Sequence, residues 1–143
     1  MKRLIFLGLM VCLLVAGLLV PASGISAAPV EGVTGAWWSI DGDGSNQKLL
    51  LSGSAENMHA VYLDDGATLC GCDPKGNLYP MIGLGTASFD GNVLSIDMSY
   101  WCLSRPRTFW GSISEWNFDY NSSTDTLWQE PQPDVTWYRM GTN

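Results

Sequence analysis

Beyond residue 30, apolar and polar positions alternate instead of recurring every third or fourth residue, so the chain predicts strands and no long helix. Residues 93–102 show this most clearly. Leu94, Ile96, Met98, Tyr100 and Cys102 fall on one face; Val93, Ser95, Asp97, Ser99 and Trp101 fall on the other. One dry and one wetter face mark an antiparallel sheet, because a parallel sheet is buried on both sides. Turn signals separate the strands. Segments 35–40 and 47–53 flank Asp-Gly-Asp-Gly-Ser-Asn, 58–63 and 67–71 flank Asp64-Asp65-Gly66, and 81–89 and 93–102 flank Asp90-Gly91-Asn92. Segments 109–120 and 126–130 flank "NSSTD", and "VTWYR" from Val135 ends the series. The expectation is an all-β fold, an antiparallel up-and-down meander of eight or nine strands. A closed barrel removes the two free edges of such a meander, and an open β-sandwich is the alternative. Gly83, Gly85 and Ala87 share a face, as a sharply bent barrel strand requires.

The N-terminus changes where the protein is expected to act. Lys2 and Arg3 precede an unbroken apolar run from Leu4 to Val20, and small residues follow in "PASGISAA". This is the pattern of a signal peptide over residues 1–24, with an uncleaved anchor as the alternative. In either case the rest of the chain lies outside the cell. Residues 25–34 read as a flexible segment and 35–143 as a single β-barrel domain, expected to be a monomer. Cleavage after Gly24 would leave five basic residues against fourteen acidic ones, a net charge of about −9. That surface repels nucleic acid and anionic membranes, so neither is an expected partner of the mature domain.

Export also permits a disulfide, and Cys70, Cys72 and Cys102 lie beyond the leader. Cys70 and Cys72 are too close along the chain to join comfortably. Cys70, at the end of the strand-like "ATLC", is the expected partner of Cys102, with Cys72 left over. Three thiols and one distant histidine match no zinc spacing, so no metal is expected. The run Asp41-Gly42-Asp43-Gly44-Ser45 has the look of a calcium loop. However, Asn46 and Ser52 stand where such a loop needs its glycine and its bidentate glutamate. It reads as a hairpin turn.

Catalytic chemistry has little to work with. His59 is the one histidine, and no nucleophile motif accompanies it. Glu115 and Asp119 share a strand face and are the candidate carboxylate pair for glycoside chemistry, but they read more simply as solvated positions. No cofactor motif is present. The unusual feature is seven tryptophans. Trp110, Trp116, Phe118 and Tyr120 fall on one face of 109–120, with Ser112 and Ser114 between them. Trp110, Trp116 and Tyr120, with Trp101, are the candidate ligand-binding residues, since flat rings stack on sugars or line apolar pockets. Arg105 and Arg107 in "SRPRTFW" mark a local anion spot or a cation–π partner for those rings. Asn121-Ser122-Ser123 is a glycosylation pattern that equally well makes a turn.

Gly35-Ala36-Trp37 on the first strand, with Arg139 in "VTWYR" on the last, resembles the signature of lipocalin-like (calycin-type) barrels. The resemblance implies that Trp37 plugs one end and that Arg139 packs across its ring where the first and last strands meet. "YLDDGATLCG", "GTASFDGNVLS" and "WCLSRP" are similar to segments of small secreted bacterial proteins. The expected function is therefore a secreted, non-catalytic binding domain for a small apolar molecule or a protein partner. A carbohydrate-binding module with exposed tryptophan and tyrosine is the first alternative, and a secreted glycoside-active enzyme the second.

Overall fold

The computed structural model describes residues 32–103, 109–129 and 132–141. The signal-peptide segment 1–24, residues 25–31 of the expected flexible segment, and Arg105 and Arg107 lie outside the described residues. Eight strands follow one another: β1 (Gly35–Ile40), β2 (Asn46–Ser54), β3 (Asn57–Asp64), β4 (Met81–Phe89), β5 (Val93–Cys102), β6 (Phe109–Asn121), β7 (Thr126–Gln129) and β8 (Gln132–Arg139). Each pairs antiparallel with the next, and β8 returns to β1, so the meander is a closed barrel. The sandwich alternative is thereby excluded.

Alternation sets the inside. Leu94, Ile96, Met98, Tyr100 and Cys102 of β5 are all buried, as are Leu49 and Leu51 of β2 and Met58, Ala60 and Tyr62 of β3. Trp37, Phe118 and Trp137 fill the centre, with Phe118 and Trp137 edge to face at 5.7 Å between ring centroids. Gly83 and Gly85 leave room for their neighbours on β5. A Cβ at Gly85 would stand 2.0 Å from the Asp97 carbonyl oxygen, and one at Gly83 would stand 2.4 Å from the Met98 sulfur.

The Asp41–Ser45 run is a turn. Asp41 N donates to the Ser45 carbonyl, Ser45 N donates to Asp43 Oδ1, and Gly44 takes φ +89°. Segment 67–71 departs from expectation. It is no strand but a 3-10 turn, Thr68–Cys70, and β3 pairs directly with β4. Seven matched pairs, Met58↔Ala87 through Asp64↔Met81, satisfy more backbone than a five-residue strand could. The chain between them is left to cross the end of the barrel. The disulfide Cys70–Cys102 forms nonetheless, with 5.3 Å between Cα atoms, and it ties that crossing to β5. Cys72 is exposed and free.

The opposite end is closed by side chains. Trp37 and Arg139 are register partners across the β1–β8 seam, and the guanidinium carbon lies 4.2 Å from the indole centroid. Arg139 Nε donates to Asp125 Oδ2 at 2.6 Å and Nη2 to Asp125 Oδ1 at 2.8 Å. Arg139 Nη2 also donates to the Gly32 carbonyl and Nη1 to the Thr34 carbonyl. Trp37 Nε1 donates to the Val33 carbonyl at 2.8 Å, and Val33 is buried. Residues 32–34 are thus packed under the plug.

Replacing Cys70 and Cys102 by alanine should cost roughly 3–4 kcal/mol in urea unfolding, the chain-entropy value for a closed loop of this length. Arg139→Met should cost roughly 2–4 kcal/mol, because it removes the stack and leaves partly buried acceptors unmatched. The Arg139 guanidinium, with help from the Tyr120 hydroxyl, holds the Asp125 carboxyl below its ordinary range. A depressed folded-state pKa contributes stability above the unfolded value, and that stability disappears as pH falls through the folded value. Asp125→Asn should therefore lower the melting temperature at neutral pH and flatten its decline in acid.

Candidate functional site

The expected aromatic strip on β6 is divided by a β-bulge. Ile96 pairs with Trp116 and Met98 with Ile113, so β6 spends one residue more than β5 across this interval. The extra residue falls near Glu115, which takes φ +54° and donates its N–H to Asp97 Oδ1 at 2.9 Å. One inserted residue exchanges the two faces of a strand. Trp110 therefore points outward and is 71 % exposed, beside its register partner Trp101, which is 37 % exposed. Trp116, Phe118 and Tyr120 pack with the core. The coplanar platform Trp110–Trp116–Tyr120 does not exist, because an alternation count cannot register an inserted residue.

The three rings go to different places. Tyr120 belongs to the closed end, where its hydroxyl donates to Asp125 Oδ1 at 3.0 Å and its ring lies edge-on to Trp37. Phe118 is central. Trp116 faces the other end, edge-on to Tyr62 at 5.1 Å. There the barrel opens into a cavity of about 290 Å³, lined by Asp41, Gln47, Tyr62, Asp64, Leu69, Trp116 and Gln129 together with Ala67, Thr68, Met81 and Ile113. Of the residues singled out from sequence as ligand-binding, Trp116 alone lines this mouth.

Each polar wall is placed by a local cause. Gln47 and Asp64 are register partners on the inner faces of β2 and β3. Asp64 Oδ1 accepts from Gly66 N, which turns the chain over the mouth, and Oδ2 accepts from the Tyr62 hydroxyl at 3.0 Å. Leu69 sits on the crossing that the disulfide anchors. Burial pushes the Tyr62 hydroxyl pKa well above its usual value. The charge of Asp64 adds to this, and Asp41 and Asp43 act in the same direction. Tyr62 therefore stays a neutral donor to Asp64, in a mouth whose field is negative.

Among the described residues, four buried side-chain atoms remain without a partner: Thr34 Oγ1, Ser45 Oγ, Gln47 Oε1, on a residue 5 % exposed, and Trp137 Nε1, on a residue fully buried. Gln47 pairs with Ser39 across β1–β2. Native interiors pair nearly all such groups, and of these four residues Gln47 alone lines the cavity, so its open acceptor points to something that completes it. Sequence could not find these atoms, since residue types alone do not show whether a buried polar group has a partner.

Other positions read from sequence lie elsewhere. His59 is exposed on β3, between Ser52 and Thr86 in the register. Glu115 sits on the bulge and Asp119 beyond it on the outer side, so they do not share one continuous face. Asn121 Oδ1 accepts from Ser123 N and Oγ, closing the β6–β7 turn. Two larger grooves, about 500 and 470 Å³, run along the outside and share Asn46 and Lys48. Among the described residues, no group of three or more His, Cys, Asp or Glu is arranged to hold a metal ion.

The bulge can be checked through stability. Trp116→Ala should cost roughly 3 kcal/mol, the usual loss for an aromatic ring packed on a core, and Trp110→Ala should change stability by no more than about 0.5 kcal/mol. Equal costs from urea titrations would contradict the reversal of faces. Comparison with known protein families, curated proteins and solved structures finds no match to this chain.

Proposed function

We propose that this chain is an exported, non-catalytic binding domain of the lipocalin-like kind, which holds a small ligand at the open end of its barrel. The observation that carries the reading is the buried, unpartnered Gln47 amide at a mouth of about 290 Å³, in a barrel plugged at its other end. Trp37 beneath Arg139 supports the lipocalin-like kinship, for it is the contact that resemblance implies. The interior beyond the mouth is filled by Trp37, Phe118 and Trp137. The ligand is therefore small and shallowly seated, with a flat or apolar part against Trp116, Ile113 and Met81. Export, a mature start after residue 24 and a monomeric state complete the proposal.

A second reading, contact with a glycan or a protein on the outer face, draws support from Trp101 and Trp110, adjacent on the outside of β5 and β6. The two readings separate experimentally. Native mass spectrometry of the exported protein should show a reproducible added mass that is released on unfolding. Leu69→Trp, at an exposed position on the mouth, should lose that mass and keep its melting temperature. A bare polypeptide mass in the unaltered protein would overturn the mouth reading. An added mass that persists in Leu69→Trp and disappears in Trp110→Ala would favour the outer face.

A further inference from the structure

We propose that the mouth selects an organic cation, a protonated amine or quaternary ammonium carried on a small apolar or aromatic body. The inference rests on the reading of the mouth as a ligand site and adds its chemistry. Asp64 is only 5 % exposed and lines the cavity with Asp41. Its two hydrogen bonds, from Tyr62 and Gly66, come from neutral donors and leave its charge uncompensated. A carboxylate has about four acceptor sites, so roughly two remain open.

No described cation reaches it. Arg139 is at the far end, bound to Asp125, and the ion pair between them is the one found among the described residues. Lys48 follows Gln47 along β2 and so projects from the outer face, where it acts on Asp65. The acidic walls alone would not make a site. The Gln47 amide is the independent observation: its oxygen is a buried acceptor with nothing to accept.

Acceptor-bearing side chains of Asp64, Gln47 and Asp41 therefore line the same cavity as the edge-to-face rings of Trp116 and Tyr62. A cation with N–H donors satisfies the acceptors, and the aromatic walls attract it through their quadrupoles. A bare divalent ion fits less well, because the side chains of Leu69, Met81 and Ile113 carry no oxygen or nitrogen and the Trp116 indole N–H is only a donor, so none of them replaces its hydration shell.

The test uses three probes of similar size at neutral pH: benzylammonium, benzyl alcohol and benzoate. Binding is followed on the full mature chain by the indole N–H resonances of its seven tryptophans. Benzylammonium should move the signals of Trp116 and Trp137, leave Trp110 in place, and bind at least tenfold more tightly than benzyl alcohol. Benzoate should bind most weakly. Asp64→Asn should reduce the preference for the cation to threefold or less. Because Asp64 also anchors the turn through Gly66, Asp41→Asn is the second variant. Its side chain donates nothing to the fold beyond accepting from Gly42 N, and it should reduce the same ratio about threefold.

Equal binding of the alcohol and the ammonium, or tighter binding of benzoate, would overturn the inference and leave a ligand site standing. Signals at Trp116 and Trp137 that none of the three probes moves would overturn the inference and the ligand site together.

Discussion

The barrel depends on the seam between its first and last strands, and that seam is held as much by side chains as by backbone. β1 and β8 share the register pairs Trp37↔Arg139 and Trp38↔Tyr138, a short ladder beside the eight pairs of β2 and β3. The Arg139 guanidinium makes up the difference. It lies over the Trp37 ring, is forked onto Asp125 in the β6–β7 turn, and is tied to the backbone of residues 32 and 34. One cation thus joins the N-terminal approach, β1, the β6–β7 turn and β8. A sheet that failed to close here would expose two strand edges.

Closing one end so firmly decides where a ligand can go. An eight-stranded barrel has an interior just wide enough for its own side chains, or for one small guest. Here Trp37, Phe118, Trp137 and Tyr62 occupy most of that space, with a T-shaped contact at 5.7 Å between Phe118 and Trp137. What remains is the open end, where inward positions change from leucine and methionine to Gln47, Asp64 and Gln129. The polarity gradient along the barrel, from a partly buried ion pair at the plug through an apolar middle to an acidic mouth, gives the fold a direction.

The β6 bulge and the 3-10 crossing shape that mouth. Without the inserted residue near Glu115, the second half of β6 would turn Trp116 toward solvent and the mouth would lose its aromatic wall. Without the Cys70–Cys102 bond, nothing covalent would fix the segment that brings Thr68 and Leu69 over the opening. Both features are local irregularities in an otherwise regular meander, which is where binding residues commonly sit.

Much of this was legible in the sequence. The alternation of residues 93–102 gave the inner face of β5 residue by residue. The Asp-Gly turns placed the β1–β2 and β4–β5 hairpins, and closing the meander brings β1 to β8, where the resemblance to lipocalin-like barrels implied Trp37 against Arg139. The Cys70–Cys102 pairing was also anticipated, although from a strand at 67–71 that is in fact a 3-10 turn. These features are short-range or follow from strand order, so the chain carries them in its pattern. The division of the β6 aromatics, the packing of half-buried Trp116 beside Tyr62, and the open hydrogen-bonding atoms of Gln47 and Trp137 were decided by the tertiary structure. A bulge changes no residue type that a pattern would reveal, and whether a buried amide has a partner depends on strands far apart in the chain.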